Sequence, residues 1–176
     1  MTDDLRAAAT AVLAACRARG LKVATAESCT GGLVAGALTE IAGSSDVVDR
    51  GFVTYSNAAK QQMLGVPAAV LRDHGAVSRE TAQAMARGAL GKAKADLVVA
   101  ITGIAGPGGG GPDKPVGLVH FAAASRSGKL THAEMRYGDI GRSQVRHKSV
   151  LQALAILKEM AEKEQGNRVK KCVTMG

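Results

Sequence analysis

The feature that most restricts the fold is an uninterrupted apolar run near the middle of the chain, residues 97–101, with the sequence LVVAI. A run of this length without alternating polar residues is typical of a β-strand buried on both faces. Such a strand requires helices on both sides of its sheet. Strand patterns also occur at residues 22–26, 50–55, 116–124 and 129–137. We therefore predict a three-layer α/β/α sandwich around a mixed, mostly parallel five-stranded sheet.

Helical patterns alternate with these strands. The first spans residues 3–19 and stops at Gly20, and the others span residues 30–41, 57–64, 67–73 and 78–94, with a last helix from about Gly141. Ser78 is placed to cap its helix. The order contains no linker, so we predict one domain over residues 1–164. We expect the basic tail, residues 165–176, to be disordered.

Composition limits the classes of partner. The net charge is +8, which suits either nucleic acid or a small anionic ligand. With no Trp, two Tyr and two Phe, the chain has almost no aromatic surface on which single-stranded nucleic acid could stack. A small-molecule nucleotide is the better expectation, and nucleic acid is not expected.

Cysteine, histidine and apolar spacing limit the remaining possibilities. The three cysteines and four histidines are scattered without metal-ligand spacing, so we expect no metal and no cofactor. The chain has no apolar run of the roughly 18 residues that a membrane span needs, so we expect a cytoplasmic protein without membrane contact. Ala- and Gly-rich helices at residues 30–42 and 78–94 could pack against another copy, and we expect a homo-oligomer.

Ser28 lies where the first strand turns into a Gly-rich helix start, within the run TAESCTGG from Thr25 to Gly32. Free backbone N–H groups at such a turn can hold an anion or an oxyanion. An ordinary helix cap is an equally good interpretation of this segment alone.

The run GFVTYSNAAK places Tyr55, Asn57 and Lys60 at and just beyond the carboxyl end of the second strand. Ligands bind at this edge of open α/β sheets. Taken alone, the segment is also compatible with a solvated lysine and a packing tyrosine.

Thr102 and Gly103 follow the buried strand and begin a loop rich in glycine and proline. Gly106, Gly108 and Gly111 have the spacing of a dinucleotide-binding motif, but the loop leads into a strand instead of a helix, so that motif lacks its context. Farther along, Arg142 and Arg146 are four residues apart at the start of the last helix. They share a helical face and could grip one phosphate, although two surface arginines are the commoner case.

Taken together, these blocks resemble the CinA C-terminal domain family, whose characterised activity is deamidation of nicotinamide mononucleotide. The resemblance runs from about Leu5 to about Ala161. The matching blocks are Thr25 to Gly32, Gly51 to Lys60, His74 to Ser78, Ile101 to Pro107 and Lys114 to Gly117. The chain resembles the stand-alone form of the family, without the additional domain that many members carry.

The resemblance implies an amidohydrolase that converts nicotinamide mononucleotide to nicotinate mononucleotide and ammonia. It also implies that Ser28 is the nucleophile and Lys60 the base. A serine hydroxyl needs a neighbouring base, and a lysine acts as one only where burial lowers its pKa. We therefore expect Lys60 to point inward and to lie beside Tyr55. We expect Tyr55 to be the third catalytic residue.

Other residues are expected around the substrate. We expect oxyanion or substrate contacts from Thr30, Gly31, Asn57, Thr102 and Gly103, and phosphate contacts from Arg142 and Arg146. Two alternatives stay open. Cys29, a thiol at a helix start, is a rival nucleophile, and the chain could be a non-catalytic nucleotide-binding or competence- and DNA-damage-related regulatory module.

Overall fold

A computed structural model describes residues 1–165 of the 176-residue chain. Its helices and strands alternate as the sequence predicts, with one short 3₁₀ turn, Ser44–Asp46, before β2. The strands are β1 Val23–Glu27, β2 Val48–Val53, β3 Leu97–Gly103, β4 Leu118–Ser125 and β5 Leu130–Arg136. The helices are α1 Asp3–Arg19, α2 Leu33–Thr39, α3 Asn57–Leu64, α4 Ala68–His74, α5 Arg79–Lys92 and α6 Arg142–Lys163.

The five strands form one mixed sheet in the order β2-β1-β3-β4-β5. β1 pairs in parallel with β2 and with β3, whereas β4 and β5 are antiparallel additions joined as a hairpin. The α/β/α sandwich around a mixed sheet is therefore confirmed. The chain leaves β1 on one side to form β2 and later returns on the other side to form β3, so its direction of winding reverses at β1.

Each face of the sheet carries its own apolar cluster. One face buries Val99, Ile101 and Phe121 against α1, α2 and α6. The opposite face buries Val98 and Ala100 against α5 and the residues around α3 and α4. β3 is buried along nearly its whole length, as its apolar run predicts.

Most boundaries lie within two residues of the predicted ones, as for β2, which is Val48–Val53 where residues 50–55 were predicted; the larger difference is around Ser28. Gly20 ends α1 with a φ of 67°, and Ser78 accepts a hydrogen bond from the amide of Thr81 at 3.1 Å, as expected. The helix predicted over residues 30–41 is shorter, however, because residues 28–32 form a turn before α2. Gly31 and Gly32 have φ values of 59° and 97°, a conformation that glycine adopts without steric cost.

No helix within residues 1–165 is long and apolar enough to cross a membrane. The predicted disordered tail lies outside the described residues, except for Gln165.

Candidate active site

Ser28 and Lys60 meet at the carboxyl ends of β1 and β2. The Ser28 amide donates to the carbonyl of Ile101 at 2.9 Å, and the Thr54 amide donates to the carbonyl of Glu27 at 2.8 Å. These two bonds continue the pairing of β1 beyond its last residue on both sides. They fix Ser28 at the edge where the winding reverses, which is where open α/β sheets bind ligands.

Lys60 reaches this edge from α3. Ser56 caps the helix by accepting a hydrogen bond from the Ala59 amide at 3.0 Å. The cap sets the helical phase so that Lys60 and Leu64, four residues apart, both face inward. The Lys60 side chain is 1% exposed, and its Nζ lies 3.0 Å from Ser28 Oγ.

The surroundings of Lys60 favour its neutral form. Nζ donates to the carbonyls of Thr54 at 2.9 Å and Tyr55 at 3.3 Å, and no carboxylate within residues 1–165 forms an ion pair with it. Burial therefore lowers the pKa of Lys60 from its ordinary value of 10.5. A neutral amine has two N–H groups for the two carbonyls and one lone pair for the hydroxyl of Ser28.

A cavity of about 260 Å³ opens beside this pair. Ser28 and Lys60 lie in its lining, and Tyr55 and Arg142 form an exposed part of it. An Arg142 Nη2 donates to the Tyr55 hydroxyl at 3.0 Å, while its Nη1 donates to the carbonyl of Gly106 at 3.0 Å. The cavity thus has a buried reactive end and a cationic rim.

Comparison with known protein families shows which family the chain belongs to. Residues 5–161 match the CinA C-terminal domain. The chain belongs to this family. In Escherichia coli strain K12, the nicotinamide-nucleotide amidohydrolase PncC is 52% identical over 159 residues, covering 89% of this chain and 95% of that protein.

Two further relatives differ in how much of their length this chain covers. A CinA-like protein of Anaeromyxobacter dehalogenans strain 2CP-C is 54% identical over 147 residues, and this chain spans only 36% of its length. Among solved structures, the competence/damage inducible protein CihA from Agrobacterium tumefaciens is 56% identical and superimposes with a TM-score of 0.89, covering 93% of this chain and 98% of that one.

The fold brings only some of the predicted site residues together around the cavity. Ser28, Tyr55, Lys60, Thr102, Gly103 and Arg142 line the cavity, whereas Thr30, Gly31, Asn57 and Arg146 lie outside its lining. Thr102 donates its hydroxyl to the carbonyl of Ala76 at 2.7 Å. Thr30 is fully buried, and its hydroxyl has no hydrogen-bond partner among the described residues.

Tyr55 and Gly103 have different surroundings from those that the sequence suggests. Lys60 does lie beside Tyr55, but it contacts the backbone carbonyl, while the Tyr55 residue is 61% exposed. The position of Gly103 is explained by packing, because a Cβ there would come 2.7 Å from the Val119 side chain. A direct catalytic role for Tyr55 stays a prediction.

The two arginines do not share one set of partners. Arg146 lines a separate groove of about 480 Å³ between α1, α2 and α6, and its guanidinium donates to the carbonyls of Cys29 at 3.1 Å and Thr30 at 3.3 Å. Of the two, Arg142 alone lies in the lining of the Ser28 cavity. A joint phosphate grip stays a prediction, and this geometry favours Arg142 for it.

Cys29 lines the same cavity as Ser28 but is buried there. It is 5% exposed, and burial raises its pKa to about 12. A thiol with that pKa stays protonated at neutral pH and is a poor nucleophile. This environment favours Ser28 over Cys29.

Glu27 is a site residue that sequence reasoning missed. Its carboxylate is fully buried and accepts hydrogen bonds from the amides of Gly32 at 3.1 Å, Val34 at 3.0 Å and Ala35 at 2.9 Å. The expectation that the amides of this helix start are free to hold an anion is therefore wrong for these three. The available signal was a carboxylate in an otherwise apolar buried strand, where it needs a partner.

Residues 1–165 contain no group of three or more His, Cys, Asp or Glu side chains that could hold a metal ion. Two histidines do lie together on the hairpin of β4 and β5: His120 Nδ1 and His132 Nε2 are 2.9 Å apart.

Proposed function

We propose that the chain is an amidohydrolase that converts nicotinamide mononucleotide to nicotinate mononucleotide and ammonia, with Ser28 as nucleophile and Lys60 as base. The observation that carries the proposal is the 3.0 Å contact between Ser28 Oγ and a buried lysine that has no carboxylate partner within residues 1–165. The 52% identity to a nicotinamide-nucleotide amidohydrolase over 95% of that protein supports the substrate.

The first half of the reaction forms an ester on Ser28. Lys60 Nζ takes the hydroxyl proton as Ser28 Oγ attacks the carboxamide carbon, and the proton then passes to the departing nitrogen, which leaves as ammonia. Lys60 returns to its neutral form. In the second half, Lys60 takes a proton from water, the hydroxide attacks the ester, and Ser28 regains its proton as the acid is released.

Burial of the pair lowers the pKa of Lys60 and so favours the form that can act as a base. A cation at this position would be desolvated without a compensating carboxylate, so the protein favours the amine that can accept a proton. The two carbonyl contacts aim the remaining lone pair at Ser28. A module that only bound nucleotides would gain nothing from this cost.

The rim of the cavity suits the rest of the substrate. The volume of about 260 Å³ is small for a whole nucleotide, so the nicotinamide ring occupies the buried end and the ribose phosphate extends toward Arg142. The guanidinium there is exposed and can exchange its contact with the Tyr55 hydroxyl for a phosphate oxygen.

The test is ammonia release from nicotinamide mononucleotide and from its dephosphorylated riboside, with the product acids identified by mass spectrometry. We expect release from the nucleotide, and a preference over the riboside that Arg142→Gln diminishes. Folded protein that binds the nucleotide but releases no ammonia would contradict the proposal.

The regulatory alternative has a measurable signature of its own. Several relatives are named for competence or damage induction, such as the Agrobacterium tumefaciens protein. If the chain acted through nucleic acid, it would bind DNA with an affinity that falls steeply as salt is raised. The buried Ser28–Lys60 pair favours the enzyme, and the regulatory module stays a prediction.

A further inference from the structure

The turn that carries Ser28 is held on its carbonyl side by Arg146. This residue lies in the second turn of α6 and is half-buried. Its Nε donates to the Cys29 carbonyl and its Nη2 to the Thr30 carbonyl. Gly31 adopts a φ of 59° in this turn, a conformation that favours glycine.

The same turn is held on its amide side by Glu27. The buried carboxylate accepts the amides of Gly32, Val34 and Ala35, and it also accepts the Thr25 hydroxyl at 3.2 Å. A cation therefore satisfies the carbonyls of the turn while an anion satisfies the amides that follow it. We call Glu27 and Arg146 together the turn clamp.

The clamp restricts the orientation of the peptides next to Ser28. Because a peptide is planar and trans, a carbonyl directed at Arg146 turns the N–H of the same peptide to the opposite side. This fixes the Cys29–Thr30 peptide and the Thr30–Gly31 peptide, and the Gly31 amide donates back to the Ser28 carbonyl at 3.0 Å. The two peptides that follow Ser28 are thus oriented in part by the distant side chain of Arg146.

We propose that Arg146 and Glu27 are positioning residues that fix the Ser28 turn in its reactive geometry, a proposal that rests on the proposed function of Ser28. Arg146 then acts through the turn and not as a ligand of the substrate phosphate. Its guanidinium is engaged by two carbonyls, forms no ion pair with a carboxylate among residues 1–165, and lies outside the lining of the Ser28 cavity.

The first test separates positioning from phosphate binding. A displacement of reacting groups by about 1 Å can cost on the order of 100-fold in rate. We expect Arg146→Gln to lower kcat by about 10- to 100-fold on both the nucleotide and the riboside, with KM changed less than about threefold, and Arg146→Lys to restore part of the loss. A rise in KM confined to the nucleotide would identify Arg146 as a phosphate ligand and overturn the proposal.

The matched control is Arg126→Gln. Arg126 also donates to backbone carbonyls, those of Leu90, Ala93 and Ala95, at the opposite end of the sheet. It should lower the melting temperature while leaving kcat unchanged. If Arg146→Gln lowered the melting temperature as Arg126→Gln does and left kcat intact, the clamp would be a stability feature alone.

A second readout does not depend on the substrate. The rate at which a fluorophosphonate labels Ser28, followed by mass spectrometry, should fall in Arg146→Gln and in Glu27→Gln. Wild-type protein could react with the fluorophosphonate and yet release no ammonia. In that case, slower labelling of the variants would still support the turn clamp, and only the proposed substrate would be wrong. Equal labelling rates in wild type and variants, or a wild-type Ser28 that does not label at all, would overturn the clamp.

Discussion

At the residue scale, Lys60 is a buried lysine whose burial has a cost in stability that the proposed mechanism requires. Lys60 is only 1% exposed, and this burial lowers its pKa. The unfolded chain keeps the ordinary pKa of 10.5 and so binds the proton more tightly than the folded chain. Between the two pKa values, the folded protein therefore gains stability as pH rises.

This linkage predicts how the substitution Lys60→Met behaves. Each pH unit between the folded and unfolded pKa values changes the free energy of unfolding of the wild type by about 1.4 kcal/mol. Lys60→Met removes this dependence, so its stability relative to wild type should fall steadily as pH approaches 10.5. Urea denaturation of both proteins across the alkaline range measures it. A difference that does not vary with pH would show that Lys60 is protonated in the folded state.

Cys29 gives a second prediction at this scale. Because burial raises its pKa to about 12, the thiol should react with iodoacetamide far more slowly than free cysteine at pH 8. Cys29→Ala should keep turnover within about threefold of wild type, because the change removes only a small buried volume. The rates are read by mass spectrometry of the alkylated protein and by ammonia release, and rapid alkylation with loss of turnover would favour Cys29 as nucleophile.

The residues show which roles can be inferred from sequence. The pairing of Ser28 with Lys60 came from the family resemblance, and their positions beyond the carboxyl ends of two predicted strands are compatible with it. The partners of Glu27 could not, because they depend on a turn at Gly31 and Gly32 that the predicted helix conceals. The Arg146 contacts join residues 117 positions apart, which no local pattern encodes.

At the element scale, α3 is held in place by a close approach to α5. A Cβ on Gly88 of α5 would lie 1.9 Å from the Leu64 carbonyl oxygen of α3. The backbone of α3 therefore packs directly against this glycine. The Gly- and Ala-rich pattern of α5 suggested contact with another copy. At Gly88 it serves a contact within the chain, and the expected homo-oligomer stays a prediction.

Gly88→Ala should therefore push α3 outward and destabilise the fold by about 1–3 kcal/mol. Turnover should also fall, because α3 carries Lys60. Gly91→Ala on the same helix is the matched control, since a Cβ there meets nothing within 4 Å. This variant should raise the free energy of unfolding by at most about 0.5 kcal/mol. Thermal and urea unfolding of the two variants compares them, and equal effects would contradict the close contact.

The hairpin of β4 and β5 contains a pH-sensitive pair. His120 Nδ1 and His132 Nε2 share one hydrogen bond, and burial lowers the pKa of both rings below the ordinary 6.5. Glu134 and Glu80 oppose this lowering for both rings, while Lys114 adds to it for His120 and Arg79 for His132. Because the unfolded chain takes up protons first, stability should be lost as pH falls below 6.5.

His132→Gln should reduce this acid sensitivity. We expect the free energy of unfolding of the wild type to fall more between pH 7 and pH 5 than that of His132→Gln. Urea denaturation of both proteins at several pH values provides the measurement. Parallel pH profiles for wild type and His132→Gln would exclude the pair as the source.

At the scale of the whole molecule, the apolar run of β3 and the alternation around it were sufficient to predict the sandwich. The boundaries of α3 were also predicted, because Ser56 and Gly65 mark its ends. How the turn at Ser28 is held was not predicted, since that depends on side chains from β1 and α6 meeting on opposite sides of one loop. The fold is therefore encoded locally, and the site by contacts between distant segments.

The central claim is that Ser28, activated by Lys60, performs the hydrolysis. The most direct test is ammonia release from nicotinamide mononucleotide by wild type and by Ser28→Ala, with Cys29→Ala as the neighbouring control and nucleotide binding verified for each protein. Ser28→Ala should bind the nucleotide and lose activity by on the order of 10³-fold or more, whereas Cys29→Ala keeps it. Retained turnover in Ser28→Ala would contradict the account.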